Sequence, residues 1–181
     1  MPRQAQSCCV IFFWVDARET MMRVIISLAK QELSLVADGG EILAQYPVST
    51  GKSGAGEQFG SGCTPRGLHK IRARIGKDLP KNTIFVGRRP TGEIYRQEFA
   101  QHYPNKEFIL SRILWLSGME LGKNRLGKVD TMRRYIYIHG TPDNEPMGVP
   151  ASHGCIRMRN ADVMELFDQV PIGSLVEIRE S

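Results

Sequence analysis

The 181-residue chain lacks the marks of membrane, fibrous and repeat proteins. Its longest uncharged apolar run, residues 8–15, is far shorter than the roughly 20 residues that cross a bilayer, so we predict no transmembrane helix. It has no internal repeat, no low-complexity tract and no linker that would divide it. With 41% hydrophobic and 24% charged residues, the chain is typical of one globular domain.

Cysteine is also scarce. The four cysteines are Cys8, Cys9, Cys63 and Cys155. This is too few for the dense disulfide framework of a small secreted domain, and two adjacent cysteines are awkward partners for one another. We therefore expect free thiols.

The first 21 residues do not match a good export signal. Arg3 precedes the apolar run, but Asp16 and Arg18 follow it and no small-residue cleavage site is present. We interpret residues 1–21 as a tail, a vestigial signal or a product of start-codon choice, and residues 22–181 as a single domain. On this basis we expect a cytoplasmic location, with the periplasm or cell envelope as the alternative.

Acidic residues are rare in one quarter of the chain. Residues 51–90 contain nine Lys and Arg against Glu57 and Asp78, whereas the whole chain has a net charge of +5. Nucleic-acid binding normally adds aromatic platforms to such a stretch, and it offers only Phe59 and Phe85. A non-enzymatic module that binds nucleic acid or cell wall stays as a minor alternative, and we predict no nucleic-acid partner.

Short strands and turns dominate the hydrophobic pattern. Residues 24–28, 32–36, 42–48, 108–116, 135–139 and 175–178 are predicted strands. Hairpin turns are predicted at Asp38-Gly39-Gly40 and Pro90-Thr91-Gly92, and residues 51–64 form a Gly- and Ser-rich loop whose length suggests a functional rim or lid. One clear helix is predicted over 161–170 with Asn160 as its cap. The fold class is mainly β, a β-sandwich of mixed sheets with one or two short helices.

The segment Ser152-His153-Gly154-Cys155-Ile156-Arg157 lies between a Pro-rich loop and the predicted helix. A thiol near a helix N-terminus is favoured as the thiolate, and the free N–H groups there can hold an oxyanion. Gly154 permits a close backbone approach. These features predict Cys155 as a nucleophile.

A cysteine nucleophile needs a base, and two histidines are candidates. His153 is only two residues from Cys155, where a turn would splay the side chains. His139 ends a predicted strand whose following loop returns to Cys155, so we prefer His139. A metal site built from these three residues and Cys63 is the alternative; it lacks the paired spacing of zinc sites, and we predict no metal and no cofactor.

These residues resemble the L,D-transpeptidase (YkuD) catalytic domain family. The pattern Ile138-His139-Gly140 followed by Ser152-His153-Gly154-Cys155 is similar to the family signature, and residues 46–52 and 64–67 match two further elements in the same order. The resemblance covers about residues 23–178.

The resemblance implies acyl transfer on peptidoglycan stem peptides. Cys155 would be the nucleophile, His139 the base and the Gly140 carbonyl its orienting group, while His153 shapes the site. Ser152, Gly154 and Arg157 would contact substrate. Arg157 stands where many members have Asn, and either binds a substrate carboxylate or pairs with Asp162.

The family activity implies attack on the meso-diaminopimelate carbonyl of a tetrapeptide stem with release of D-Ala. An L,D-transpeptidase passes the acyl group to an amine. The alternative is a cytoplasmic L,D-carboxypeptidase of peptidoglycan recycling, which passes it to water. The expected partners are stem peptides or muropeptides, and we expect a monomer.

Overall fold

The computed structural model describes residues 22–103 and 106–181. Ten strands and two α-helices make up its regular structure, together with a 3₁₀ turn at Gly127–Val129. The strands are β1 (Met22–Ser27), β2 (Glu32–Ala37), β3 (Ile42–Pro47), β4 (Gly67–Ile75), β5 (Thr83–Val86), β6 (Arg89–Ile94), β7 (Ile109–Gly118), β8 (Tyr137–Gly140), β9 (Ile156–Met158) and β10 (Leu175–Arg179). The helices are α1 (Gln97–His102) and α2 (Asn160–Gln169).

The strands form one mixed hydrogen-bonded network. Its main path runs β3-β2-β1-β10-β4-β7-β5-β6, and β8 leaves this path by pairing with β7 and β9. The β1–β10 and β8–β9 pairs are parallel, and the other pairs are antiparallel. The prediction of a mainly β fold with mixed strands and few helices is confirmed.

The core forms where the apolar faces of the strands meet helix α2. Alternation in β1 buries Val24 and Ile26, and α2 turns Val163, Leu166 and Phe167 inward against β7 and β8. Ile138 and Ile156, which pair across β8 and β9, are part of the same cluster. The strands that carry the candidate site are therefore anchored in the core on one face.

Two local predictions are wrong. The second hairpin turns at Gly87 and Arg88, whereas Pro90-Thr91-Gly92 lies inside β6. Proline is tolerated there because β6 is an edge strand, where a missing N–H removes no obligatory ladder bond. Asn160 is the first helical residue of α2 and makes no cap; Arg159 occupies the cap position.

The predictions for residues 1–21, including those for Cys8 and Cys9, lie outside the described residues. Within residues 22–103 and 106–181, no helix is both long and apolar enough to cross a bilayer.

Candidate active site

The parallel pair β8–β9 brings the predicted nucleophile and base together. His139 lies opposite Arg157 in this pair, and Ile138 lies opposite Ile156. Because successive side chains of a strand point to opposite faces, Tyr137 and His139 share a face with Cys155 and Arg157. The apolar residues Ile138 and Ile156 occupy the other face, toward the core.

Cys155 directly precedes β9, and four residues lie between it and the start of α2. The prediction that its thiol lies at a helix N-terminus is therefore wrong, because strand β9 intervenes. Its Sγ accepts the backbone N–H of Tyr137 and donates to the carbonyl of Tyr135, each at 3.4 Å. Burial raises the pKa of the thiol to about 12, so ionisation requires a nearby base.

His139 is fully buried, and its two ring nitrogens have different surroundings. Nδ1 is 2.8 Å from the carbonyl oxygen of Gly140, which can only accept, so Nδ1 carries the hydrogen. Nε2 is buried without a hydrogen-bond partner. Burial lowers the pKa of His139, which keeps the imidazole neutral with a free lone pair on Nε2.

The side chain of Asn160 holds the backbone next to Gly140 in place. The side chain of the buried Asn160 donates to the carbonyl of Thr141 at 2.7 Å and accepts from the Ser111 hydroxyl at 2.6 Å. A Cβ on Gly140 would overlap this amide and would come within 2.7 Å of the Leu110 carbonyl. Only glycine therefore fits beside the carbonyl that holds His139.

The turn before Cys155 is held by its own hydrogen bonds. The Ser152 hydroxyl donates to the Cys155 carbonyl at 2.5 Å and accepts the Gly154 N–H at 3.1 Å. The Thr64 hydroxyl donates to the Gly154 carbonyl at 3.0 Å. Ser152 and Gly154 thus position the Cys155 segment against the loop of residues 51–64.

The loop of residues 51–64 borders this segment. Its ends, Gly51 and Thr64, are buried, while residues 58–60 are exposed. Arg134 fastens the loop, donating to the carbonyls of Gly56 at 3.0 Å and Cys63 at 2.6 Å. Burial lowers the pKa of Arg134.

Arg157 forms ion pairs that the sequence did not predict. Its Nε donates to Glu107 at 2.7 Å and its Nη1 donates to Glu145 at 3.2 Å, so the predicted pairing with Asp162 is wrong. Asp162 sits in the first turn of α2, beyond strand β9. The Arg157 side chain is only 6% exposed.

Glu107 connects Arg157 to the second histidine. Its other carboxylate oxygen lies 2.6 Å from Nδ1 of His153, whose side chain is 63% exposed. Burial alone would raise the pKa of Glu107, but the hydrogen bonds from Arg157 and His153 and the nearby His139 lower it to about 2. Glu107 is therefore an anion at neutral pH.

Sequence reasoning missed Glu107, Asn160 and Arg134 as site residues. Glu107 and Arg134 each directly precede a predicted strand, and neither belongs to a recognisable motif. The local sequence therefore does not mark either one as a site residue. For Asn160 the sequence predicts only a helix cap. Within the described ranges, no group of three or more His, Cys, Asp or Glu side chains is arranged to hold a metal.

A family model described as the L,D-transpeptidase catalytic domain matches residues 21–178. The chain belongs to this family. A relative named as the L,D-transpeptidase YkuD of Bacillus subtilis strain 168 is 39% identical over 112 residues, which cover 60% of this chain and 56% of the relative. A relative named as the L,D-transpeptidase YbiS of Escherichia coli strain K12 is 48% identical over 44 residues, 24% of this chain and 14% of the relative.

Solved structures agree in fold. An L,D-transpeptidase from Mycobacterium smegmatis matches with a TM-score of 0.50 and 17% identity, covering 88% of this chain and 58% of that chain. L,D-transpeptidase 3 from Mycobacterium tuberculosis, in complex with a faropenem-derived adduct, matches with a TM-score of 0.54 and 16% identity, covering 88% and 60%. The chain spans between about one seventh and three fifths of these relatives.

Proposed function

We propose that this domain is a cysteine-dependent acyltransferase that acts on peptidoglycan stem tetrapeptides. The observation that carries the proposal is the buried, unpartnered Nε2 of His139 on the same strand face as the Cys155 thiol. A neutral imidazole oriented by a carbonyl is suited to accept a thiol proton. The family of the chain supplies the substrate class.

In the proposed first step, the Cys155 thiol gives up its hydrogen bond to the Tyr135 carbonyl and transfers its proton to Nε2 of His139. The sulfur attacks the meso-diaminopimelate carbonyl carbon and forms a tetrahedral intermediate. The bond from this carbon to the D-Ala nitrogen then breaks, and the imidazolium of His139 returns its proton to the departing amine. The products are a thioester on Cys155 and free D-Ala.

In the second step, an acceptor attacks the thioester carbon and the sulfur leaves. An amine acceptor gives a new amide, which is the transpeptidase outcome, and water gives a free acid, which is the carboxypeptidase outcome. In both cases His139 takes a proton from the acceptor and the thiol regains one. The two activities differ only in this step.

A disaccharide tetrapeptide, supplied with and without a D-amino acid or a second stem, tests the proposal when its products are resolved by mass. Exchange or cross-linking indicates an amine acceptor, and tripeptide alone indicates water. Cys155→Ala is expected to abolish D-Ala release, whereas Cys63→Ala, which removes the other described thiol, retains it. Equal release by the wild-type protein and Cys155→Ala would overturn the proposal.

A further inference from the structure

Arg88 lies at the turn between β5 and β6, and its side chain reaches a group of aromatic residues. The guanidinium carbon is 4.6 Å from the centre of the Trp115 ring and 5.0 Å from that of Tyr135. Nη1 donates to the Tyr137 hydroxyl at 2.9 Å. The two rings are themselves stacked, with centres 6.3 Å apart.

These contacts link Arg88 to the proposed nucleophile through two tyrosines. Tyr137, whose hydroxyl accepts from Arg88, donates its backbone N–H to the Cys155 sulfur. Tyr135, whose ring lies against Arg88, accepts a hydrogen bond from the Cys155 thiol through its backbone carbonyl. The same two tyrosines therefore contact the guanidinium with their side chains and the thiol with their backbones.

No carboxylate of residues 22–103 and 106–181 forms a salt bridge with Arg88. Arg157, which the sequence suggested as the carboxylate-binding residue, is nearly buried and already pairs with Glu107 and Glu145. Arg88 is only partly buried, and one hydroxyl satisfies one of its five N–H donors. A cation so placed has donors left for an anionic ligand.

We propose that Arg88 binds a carboxylate of the acyl donor and so helps to select the substrate. This inference rests on the proposed function, since the donor is the stem peptide attacked by Cys155. A guanidinium presents paired donors that match a carboxylate, and the aromatic rings hold its plane in one orientation before the ligand arrives. The stem peptide offers carboxylates close to the attacked carbonyl, at its D-Ala terminus and on the diaminopimelate side chain.

The test measures binding separately from turnover. Cys155→Ala, which cannot form the thioester, is titrated with the disaccharide tetrapeptide and its affinity is read by calorimetry. Adding Arg88→Met is expected to weaken binding at least about tenfold, as loss of a charge-assisted hydrogen bond does. Arg89→Met, the exposed neighbour on the same hairpin, is the matched control and is expected to change affinity less than twofold.

Peptides amidated at one carboxylate at a time identify which carboxylate is bound. If amidation of one carboxylate weakens the binding of the peptide to Cys155→Ala, the same amidation is expected to cause no further loss of affinity in the double variant that also carries Arg88→Met. Arg88→Lys, which keeps the charge and the aromatic contacts but loses the planar fork, is expected to be intermediate and reports on the site if Arg88→Met misfolds. Unchanged affinity in both Arg88 variants would overturn the inference.

The two proposals fail in different ways. If the wild-type protein releases D-Ala but the Arg88 variants bind as tightly as the parent, the inference is wrong and the proposed function stands. If the wild-type protein releases none but Arg88→Met still weakens binding to Cys155→Ala, the reaction is wrong and the carboxylate site stands.

Discussion

At the scale of single residues, the two histidines near Cys155 are held in opposite ways. His139 is buried with its Nδ1 fixed by the Gly140 carbonyl, and its Nε2 has no partner. His153 is 63% exposed, and its Nδ1 is held by Glu107. These surroundings support the proposal that His139 is the base, and they place His153 at the rim of the site.

We expect His139→Ala to slow acylation of Cys155 at least ~10²-fold, the usual effect of removing a general base. His153→Ala, the matched control, is expected to slow it less than tenfold. The measurement is the rate of covalent adduct formation with a carbapenem, followed by intact mass. A larger loss in His153→Ala than in His139→Ala would transfer the role of base to His153.

Glu107 is expected to stabilise the domain because it pairs with the nearly buried Arg157. Glu107→Gln removes this charge from beside the guanidinium, and we expect the free energy of unfolding to fall by about 1–3 kcal/mol. Glu145→Gln removes the more exposed partner of Arg157 and should cost less than about 1 kcal/mol. Urea denaturation measures the free energy of unfolding of both variants. Equal losses would show that Glu107 is no more important than Glu145 as a partner of Arg157.

At the scale of elements, the turn that presents Cys155 depends on Gly154. Its φ is +119°, and a Cβ there would come within 2.9 Å of the Cys63 carbonyl. We expect Gly154→Ala to destabilise the domain by about 1–3 kcal/mol through this overlap, beyond the cost of the backbone conformation. Thermal or urea unfolding gives the value.

Gly148 provides the control for backbone strain. Its φ is +77°, but a Cβ there would meet no atom within 4 Å, so Gly148→Ala has strain without overlap. The Gly154 variant should be the less stable of the two and should also acylate more slowly, because its turn carries the proposed nucleophile, Cys155. Equal stability of the two variants would show that the Cys63 contact is unimportant.

Elements with a clear period could be predicted from the sequence, and short ones could not. The alternation of Ile136 and Ile138 with Tyr137 and His139 predicts a strand over 135–139, and the observed strand β8, Tyr137–Gly140, overlaps it. Strand β9 has only three residues, Ile156–Met158, which is too short for a period to be recognised, so the sequence predicts a helix directly after Cys155. Without β9, the sequence places Cys155 at the N-terminus of a helix and wrongly indicates that the helix activates the thiol.

Some residues of the candidate site could be predicted from the sequence, and others could not. Cys155, His139 and Gly140 belong to local motifs that the sequence displays. Glu107 and Arg88 come from segments distant in sequence, and only the pairing of β5, β7 and β8 brings them near the thiol. No spacing within a single segment could have signalled them.

At the scale of the whole molecule, the buried His69 makes stability depend on pH. Its Nδ1 donates to the Gly67 carbonyl and its Nε2 lies 3.1 Å from the Thr131 hydroxyl. Burial lowers its pKa from 6.5 to about 4. Since the unfolded chain binds this proton more readily than the folded one, stability is full above pH 6.5 and falls as the pH drops toward 4.

We expect His69 to account for about 3 kcal/mol of the stability lost between these pH values, from 1.36 kcal/mol per pKa unit. His69→Gln removes the titration, so its unfolding free energy should vary less over this range even if it is lower at pH 7. Urea denaturation at several pH values measures the difference. A slope as steep as that of the wild-type protein would assign the effect to other groups, such as His139.

Strand β10 has a consequence for the order in which the molecule can assemble during synthesis. It lies between β1 and β4, and strand pairing joins β1, β2 and β3 to the other strands only through it. Of the ten strands it is the last to leave the ribosome. The first three strands can therefore join the main sheet path by strand pairing only after almost the whole domain has been translated, and removal of β10 would leave two unjoined edges.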